Sequence, residues 1–277
     1  MAEDVRDPWQ ASAIYKAKKR PPWFPSAEDG RLMLEAAAPA LAKAGAKART
    51  LVLGVTPEIV QLDWRSAGEL IAADSSDSMI DAWWKPNPRL HSRVIRNDWS
   101  KLPLPDQSIA VIVGDGSLNA VSSFEGYDGV LRELARVLRP DGALIIRFFM
   151  KRLPVAEPEA VAEAAMRGAY PTSAAFRMAF LMALAGDNAQ VAFSEALTRF
   201  DALLPDRDKL ARATGWPRPE IDLVDTDRGS PIRLTFPTET ELRQKTDPWF
   251  ELTALKYGTY TQASSCPTLI FQRRHPN

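Results

Sequence analysis

The amino-acid sequence predicts an α/β fold in which a doubly wound, mostly parallel sheet carries helices on both faces. Two observations and one general rule support this fold class. Short apolar runs of strand length alternate with helical segments from about residue 50 to residue 150. Apolar strands joined by helices require parallel pairing with right-handed crossovers. Two further strand-like runs return near the C-terminus, after a long alanine-rich segment.

The first half of the sheet is predicted from four apolar runs and the segments between them. The runs are residues 50–53, 70–73, 93–95 and 109–113. Apart from Thr50 and Arg93, the residues of these short runs are apolar, which is typical of buried parallel strands. Residues 58–64 are expected to form a brief helix, and residues 76–84 a helix that Ser76 or Ser75 caps.

A helix, a turn and a fifth strand are predicted from the stretch GVLRELARVLRPDGALIIRFF, residues 129–149. Its apolar residues fall at helical spacing as far as Leu138, which gives the helix one apolar face. Pro140 cannot continue that helix, and Asp141-Gly142 supplies a turn. The following segment, 143–149, is apolar enough to be a strand buried on both faces.

Beyond the fifth strand, the chain is predicted to leave the sheet and return to it. Residues 155–204 are alanine-rich with helical spacing and are punctuated by prolines, which predicts two or three inserted helices. Thr238 and Glu241 form a capping-box pattern that opens a helix. Strands are predicted at 250–257 and 268–272, and the short loop between them makes them antiparallel neighbours at one edge.

These elements divide the chain into four predicted parts. An N-terminal helical arm or lid covers residues 1–48, and the core of the α/β domain covers residues 49–152. A helical insertion that caps the substrate covers residues 153–236. The C-terminal part of the α/β domain covers residues 237–277.

Composition and charge indicate a globular protein and exclude some partners. The chain has 277 residues, of which 45% are hydrophobic and 25% charged, and its formal net charge is zero. A neutral chain has no field that holds nucleic acid or an anionic membrane. The basic run at residues 15–20 is interpreted as a solvated arm, with a binding patch as the alternative.

Cysteine usage and the N-terminus indicate the compartment. One cysteine, Cys266, excludes an intrachain disulfide and favours a reducing environment. No apolar stretch reaches transmembrane length, and the N-terminus is acidic where a signal peptide would be basic and then apolar. The expected location is therefore the cytoplasm.

Candidate cofactor residues follow the predicted strands, because ligands of open α/β sheets lie beyond the carboxyl ends of the strands. Asp74 follows the second strand, 20 residues after Gly54. A carboxylate at that offset is placed to accept hydrogen bonds from both hydroxyls of a ribose; the alternative is a helix cap or a turn aspartate. Asp98 can accept from the exocyclic amine of adenine, and Met79 or Trp99 can offer the ring an apolar face. The alternative for Trp99 is ordinary packing.

The segment LVLGVTPEIV, residues 51–60, places one glycine, Gly54, after the first strand. A dinucleotide site needs G-x-G-x-x-G so that the backbone can approach a pyrophosphate. Here Thr56 can cap a helix that begins at Pro57, and Glu58 puts a negative charge where the pyrophosphate would lie. The segment therefore disfavours NAD and FAD, and it favours an adenosine cofactor whose zwitterionic tail carries no phosphate.

Taken together, these motifs resemble the class I S-adenosylmethionine-dependent methyltransferases over about residues 50–150 and again at residues 250–273. LVLGVTPEIV aligns with the first glycine-rich loop of that family, and AADSSDSMI with its acidic second-strand motif. RNDWSKLPLPDQSIAVIVGDGSLN resembles the stretch from the adenine-contacting aspartate to the fourth strand. LRELARVLRPDGALII resembles the signature of the helix, turn and fifth strand.

The resemblance implies a Rossmann-like methyltransferase fold with seven strands, an antiparallel last strand, and S-adenosyl-L-methionine as the cofactor. It implies that Gly54 and Val55 back the methionine part and that Asp74 binds the ribose. Asp98 and Trp99 would bind adenine, and Asp115 with Gly116 would line the space near the sulfonium. The full set of predicted cofactor residues is Gly54, Val55, Thr56, Asp74, Ser75, Met79, Asp98, Trp99, Asp115 and Gly116.

Two departures from the family pattern leave an alternative open. The first loop carries one glycine, with Thr56 and Glu58 in the other places, and Ala110 replaces the usual aspartate of the fourth strand. The carboxylate tail of the cofactor would then be held elsewhere, or the chain is a degenerate relative that no longer binds cofactor.

Methyl transfer needs few protein groups. It is an in-line displacement in which alignment of the nucleophile with the methyl group supplies much of the acceleration, although an oxygen or nitrogen acceptor can need a base. Asp115 and Tyr15 are the candidate catalytic residues, since His91 lies in a proline-rich loop and His275 in the C-terminal tail. The sequence has no zinc-ligand spacing, so no metal is expected.

Substrate choice is expected to lie with the parts of the chain that cover the sheet. The N-terminal segment carries Trp9, Tyr15, Trp23 and Phe24, and with the insertion it would form a lid over a mostly enclosed pocket. The alternative makes the insertion a contact within a homodimer.

The sequence therefore predicts an S-adenosylmethionine-dependent methyltransferase that acts on a small or medium organic acceptor. The alternative is a catalytically degenerate binding or scaffold protein on the same fold. An NAD-dependent oxidoreductase is disfavoured by Glu58 and the missing glycines. A nucleic-acid methyltransferase is disfavoured by the neutral charge and the lack of a basic domain, and no membrane partner is expected.

Overall fold

A seven-stranded sheet forms the centre of the molecule. The structure, a computed structural model, describes residues 7–10 and 21–274. Its strands are β1 (Arg49–Leu53), β2 (Glu69–Asp74), β3 (Ser92–Arg96), β4 (Ile109–Asp115), β5 (Leu138–Arg147), β6 (Gln190–Ala192), β7 (Arg233–Thr235), β8 (Phe250–Lys256) and β9 (Thr268–Arg273). The large sheet has the order β3-β2-β1-β4-β5-β9-β8, and β6 pairs with β7 in a separate sheet.

The strand directions confirm the predicted fold class. β3, β2, β1, β4 and β5 are mutually parallel. β9 pairs antiparallel with β5 on one side and with β8 on the other. The two C-terminal strands are therefore antiparallel neighbours at one edge, as predicted, with β8 outermost.

Helices cover both faces of the large sheet. In the described part of the chain they are α1 (Ala27–Ala44), α2 (Pro57–Val60), α3 (Asp77–Trp83), α4 (Phe124–Val137), α5 (Pro158–Met166), α6 (Ser173–Ala185), α7 (Phe193–Leu203), α8 (Arg207–Thr214), α9 (Arg218–Ile221) and α10 (Glu239–Thr246). Leu51 and Leu53 of β1 pack in one core with Leu131 of α4. Val52, which points to the opposite face, packs in a second core with Met33 of α1. A strand buried on both faces is what the uninterrupted apolar run predicts.

The turn predicted at Pro140 and Asp141-Gly142 is wrong. α4 ends at Val137 and β5 begins at once at Leu138, so these residues belong to the strand. The pairing of β5 with β4 shifts register between Ile109 and Val111, and the irregularity accommodates a proline that cannot donate to the ladder. Gly142 is needed here because a Cβ would lie 2.8 Å from the Ala110 carbonyl oxygen.

The predicted helical insertion follows β5. Three helices, α5, α6 and α7, lie within the alanine-rich segment, and α8 and α9 follow it. The small β6–β7 sheet was not predicted, because strands of three residues are too short to give an alternating pattern. The insertion has a core of its own, in which the ring of Phe176 lies within 5.5–6.2 Å of the rings of Phe180, Phe200 and Trp216.

The chain returns to the sheet through α10, whose start matches the predicted capping box. The Thr238 N–H donates to Glu241 Oε2 at 2.7 Å, and the Glu241 N–H donates to Thr238 Oγ1 at 3.3 Å. The four domain boundaries predicted from the sequence stay predictions. No helix among the described residues is both long and apolar enough to cross a bilayer.

Candidate functional site

The carboxyl ends of the parallel strands open into one cavity of about 520 Å³. It lies beyond β1 and β4, where the strand order reverses, which is the usual ligand site of such sheets. The structure brings all the predicted cofactor residues to its wall, whereas Tyr15 lies outside the described residues. The residues of that set that line the cavity are Gly54, Val55, Thr56, Asp74, Ser75, Met79, Asp98, Trp99, Asp115 and Gly116.

Gly54 bends the end of β1 toward the end of β2. Its φ of +95° lies in the region that favours glycine, and its N–H donates to the Ala73 carbonyl oxygen at 2.7 Å. A Cβ at Gly54 would lie 3.8 Å from Asp74 Oδ2. One glycine therefore suffices to bring the first loop against the acidic end of the second strand.

The helix after this loop is shorter than predicted. α2 spans Pro57–Val60, and Thr56, although it precedes the helix, makes no side-chain capping hydrogen bond. The prediction that Thr56 caps the helix through its side chain is therefore wrong. Thr56 lines the cavity instead. Glu58 is exposed to solvent and is not part of the cavity wall. Burial raises the pKa of Asp115, and the charge of Glu58 adds to that effect.

Asp74 lies half-buried in the cavity wall at the end of β2. Its Oδ1 accepts a hydrogen bond from the Ser76 N–H at 2.9 Å, so the turn that the alternative interpretation proposed is present. Ser76, not Asp74, caps α3, because the Met79 N–H donates to Ser76 Oγ. Burial, helped by the nearby Asp7 carboxylate, raises the pKa of Asp74 to about 6.

The N-terminal arm reaches the same strand end, which the sequence did not predict. Asp7 Oδ2 accepts hydrogen bonds from Ser76 Oγ at 2.6 Å and from the Ser78 N–H at 2.9 Å. Trp9 follows and lines the cavity. The arm therefore contacts the part of the cavity that Asp74 forms.

Trp99 is held against the ends of β1 and β2 by its indole. Its Nε1–H donates to the Ala73 carbonyl oxygen at 2.7 Å, the same oxygen that accepts from Gly54. The ring also packs against the core of the sheet, so the packing interpretation and the position in the cavity wall both hold. Asp98 beside it is exposed, and its Oδ1 accepts from the N–H and the hydroxyl of Ser100.

Asp115, at the end of β4, forms a buried ion pair with Arg147. Arg147 Nε lies 2.5 Å from Asp115 Oδ1, and the two side chains are 0% and 4% exposed. Arg147 also donates to the Tyr260 hydroxyl at 3.0 Å and to the Pro22 carbonyl oxygen at 2.9 Å. Burial raises the pKa of Asp115 while the Arg147 guanidinium opposes that effect.

The sequence did not single out Arg147, although a signal was present. Arg147 is the one charged residue in the apolar run 143–149, and a charge in a strand buried on both faces needs a partner. Its partners come from the end of β4, from the arm and from the loop before β9. Arg147 therefore joins three distant parts of the chain beside the cavity, through one ion pair and two further hydrogen bonds.

Gly116 follows Asp115 with a φ of +59°, and a Cβ there would lie 2.7 Å from Cε2 of Phe149. Gly116→Ala is expected to lower the free energy of unfolding by about 1–2 kcal/mol from backbone strain, and by a further ~1–3 kcal/mol from overpacking against the ring. Gly168→Ala is the matched control, because its φ is +77° with nothing within 4 Å of the added Cβ. Denaturant unfolding compares the two variants, and equal losses would contradict the close contact with Phe149.

Aromatic residues of the arm cover the cavity. Trp9, Trp23 and Phe24 line it, and the fourth predicted lid residue, Tyr15, lies outside the described part of the chain. Trp23 Nε1–H donates to the Ala174 carbonyl oxygen of α6 at 3.1 Å. The arm and the insertion are thus joined above the ends of the strands, and the function of this cover as a lid stays a prediction.

The wall of the cavity carries more acid than base. Its charged residues in the described part of the chain are Asp74, Asp98, Asp115, Arg177 and Glu220. Arg147 balances Asp115 from behind, and Asp227 balances Arg177. No group of three or more metal-ligand residues occurs within residues 7–10 and 21–274.

The fold and the cavity define a class of protein: a doubly wound α/β domain whose ligand site lies at the switch point of the sheet. Residues 51–146 match the methyltransferase domain family. The match confirms, for this part of the chain, the predicted resemblance to the class I S-adenosylmethionine-dependent methyltransferases, and it implies S-adenosylmethionine as the cofactor.

Solved structures share the fold. The chain is similar to a putative zinc-dependent alcohol dehydrogenase from Rhodobacter sphaeroides, with 12% identity over 98% of this chain and 100% of that one, and a TM-score of 0.58. It is also similar to the CcbJ methyltransferase from Streptomyces caelestis, with 14% identity over 95% of each chain and a TM-score of 0.52. Curated protein sequences contain no match to this chain. At these identities the structural neighbours establish the fold and leave the substrate open.

Proposed function

We propose that this protein transfers the methyl group of S-adenosylmethionine to a small or medium organic acceptor. The observation that supports it is one continuous cavity, which joins the ends of the parallel strands to an apolar space under the arm and the insertion. Within residues 7–10 and 21–274, the carboxylates of the cavity wall that have no ion-pair partner are those of Asp74, Asp98 and Glu220. Such a wall attracts a sulfonium cation and repels a pyrophosphate.

The residues of the cavity wall suit the parts of this cofactor. S-adenosylmethionine supplies an electrophilic methyl group on a sulfonium. Gly54, Val55 and Thr56 would back its methionine part. Asp74 would accept from the ribose hydroxyls through Oδ2, which lies on the side of the Gly54 loop, and Ser75 lies beside it.

The adenine end would lie between the third strand and α3. Asp98 is exposed and its carboxylate is available to the exocyclic amine, while Trp99 and Met79 offer apolar surface to the ring. The Trp99 ring is already oriented by its bond to the Ala73 carbonyl oxygen. Little ordering of these side chains would therefore be required on binding.

Asp115 and Gly116 would lie near the reacting sulfonium, and Asp115 is the proposed base for an acceptor that must lose a proton. Its ion pair with Arg147 fixes the orientation of the carboxylate. Tyr15 stays the second proposed catalytic residue. Alignment of the acceptor by the surrounding walls would supply most of the acceleration in either case.

Calorimetric titration with S-adenosylmethionine tests the cofactor assignment. We expect one binding site, competition by S-adenosylhomocysteine and no heat from NAD at the same concentration. Radiolabelled S-adenosylmethionine, supplied with a mixture of small organic acceptors, then tests turnover. Binding without any labelled product would support the alternative, a catalytically degenerate binding protein, whereas no binding at all would refute the cofactor assignment for this chain.

A further inference from the structure

The cavity continues from the ends of the strands into the interior of the insertion. We call this distal part the acceptor chamber and define it by six lining residues. Because these side chains are aromatic or aliphatic, the chamber suits a ligand with an apolar body. The residues are Phe176, Phe193, Phe200, Leu210, Trp216 and Ile221.

Arg177 is the single cationic side chain among the described residues that line the cavity. It lies on α6 and is held from two sides. Its Nη2 donates to both carboxylate oxygens of Asp227 at 2.6 Å. Its Cζ lies 5.3 Å from the ring centroid of Trp23 and 5.2 Å from that of Phe193, where aromatic faces stabilise a cation. The guanidinium is therefore pre-organised.

The guanidinium keeps unused donors. Both hydrogen bonds to Asp227 come from Nη2, and in the described part of the chain neither Nε nor Nη1 has a protein acceptor. A guanidinium presents five N–H donors in a rigid fork that matches two oxygens of one anionic group. The side chain is about a quarter exposed, at 24%, so a ligand in the cavity can reach it.

The surroundings of Arg177 favour its side chain, rather than the N-terminus of α6, as the group that binds an anion. Thr172, Ser173 and Ala174, at the start of α6, also line the cavity, and a helix N-terminus attracts negative charge. Glu220 lies at the same place, where its Oε2 accepts from the Ser173 hydroxyl at 3.4 Å. Because Glu220 repels an anion beside Ser173, the fork of Arg177 is the position that an anionic group prefers.

We propose that the acceptor is an apolar, ring-containing molecule with a single carboxylate or sulfonate group, and that Arg177 holds this group while the body fills the acceptor chamber. The atom that accepts the methyl group is not part of this anionic group but lies elsewhere in the acceptor. The Trp23 ring contacts Arg177, and its centroid lies 6.0 Å from that of the Phe149 ring. The Phe149 ring in turn packs against Gly116. Two rings thus separate the anchored end from the proposed position of the methyl group.

Two fluorescent probes with the same rings test this proposal. Anilinonaphthalene sulfonate carries one anionic group, and N-phenyl-1-naphthylamine is its uncharged parent. We expect the anionic probe to bind the wild type about tenfold more tightly than the neutral one, because it gains charge-assisted hydrogen bonds. Equal binding of the two probes, or tighter binding of the neutral one, would overturn the proposal.

Two variants with opposite expected effects sharpen the test. Arg177→Gln should remove the preference for the anionic probe and leave the affinity for the neutral probe within about twofold of the wild-type value. Asp227→Asn should strengthen anion binding, since it removes the charge that balances Arg177. Arg243→Gln is the matched control, because that arginine is 45% exposed and lies outside the cavity wall. If Arg177→Gln weakens the binding of both probes equally, Arg177 is only a structural residue and the proposal is overturned.

The identity of the anchored group as part of a methyl acceptor depends on the proposed function, whereas the anion preference does not. The probe measurements are therefore made with and without S-adenosylhomocysteine, whose own binding is measured by calorimetry. Anion preference without cofactor binding would refute the methyltransferase proposal and leave the anchor intact. Cofactor binding without anion preference would refute the anchor alone.

Discussion

Asp74→Ala is expected to weaken the binding of S-adenosylmethionine by about 30- to 1000-fold. Asp74 is the half-buried carboxylate at the end of β2, and its Oδ2 lies beside the Gly54 loop. A hydrogen bond to a charged group contributes about 1.5–3 kcal/mol, so losing the bond to one ribose hydroxyl in full and the bond to the other in part corresponds to roughly 2–4 kcal/mol. Isothermal titration calorimetry measures the change in Kd.

Asp81→Ala is the control for this prediction, because it removes the same charge from an exposed position on α3 outside the cavity wall. The wild type provides a second measure. Since burial raises the pKa of Asp74 to about 6, the carboxyl holds a proton below that pH and binding must release it. Affinity should fall about tenfold per pH unit below 6, and Asp74→Ala should lose this dependence. If Asp74→Ala and Asp81→Ala lose similar amounts of affinity for S-adenosylmethionine, the carboxylate of Asp74 acts only through its long-range charge.

Arg147→Met is expected to lower the free energy of unfolding by about 3–5 kcal/mol, because it leaves the Asp115 carboxylate buried without its partner. It also removes the donors to the Tyr260 hydroxyl and the Pro22 carbonyl oxygen. For a chain of this size the melting temperature should fall by on the order of 10 °C. Thermal and denaturant unfolding, followed by circular dichroism, measure both quantities.

Arg139→Met serves as the control, since Arg139 lies on the same strand and pairs with Asp141 while the two side chains are 38% and 23% exposed. A pair this accessible contributes about 0–1 kcal/mol. Adding Asp115→Asn to Arg147→Met should restore part of the lost stability by removing the unpaired charge. If Arg147→Met costs no more than Arg139→Met, the buried pair does not hold the arm to the sheet.

Local sequence patterns were sufficient for the large sheet and for the neighbourhood of its candidate residues. The parallel strands β1, β2, β4 and β5 each contain a run of apolar residues that is visible in the sequence itself. Parallel strands end at the same side of a sheet, so residues that directly follow different strands meet without any further information. This is why Gly54, Asp74, Asp98 and Asp115 could be placed at one cavity from the sequence.

The contacts that close the cavity were beyond such reasoning, because their partners lie far apart in the chain. The hydrogen bond between Asp7 and Ser76 joins residues 69 positions apart in the sequence, and the one between Arg147 and Pro22 joins residues 125 positions apart. No local period encodes pairs of this kind. The prediction of a turn at Pro140 was wrong for a different reason. A proline followed by Asp-Gly usually marks a turn, but here the register shift against β4 accommodates the proline within the strand.

One main-chain oxygen, that of Ala73, accepts from both the Gly54 amide and the Trp99 indole and so joins the ends of three strands. Every amino acid carries this carbonyl, so the junction survives any replacement at position 73 that is small enough for the core. Related chains can therefore diverge at this residue, and keep the same geometry, without leaving a trace of invariance at the position that maintains it.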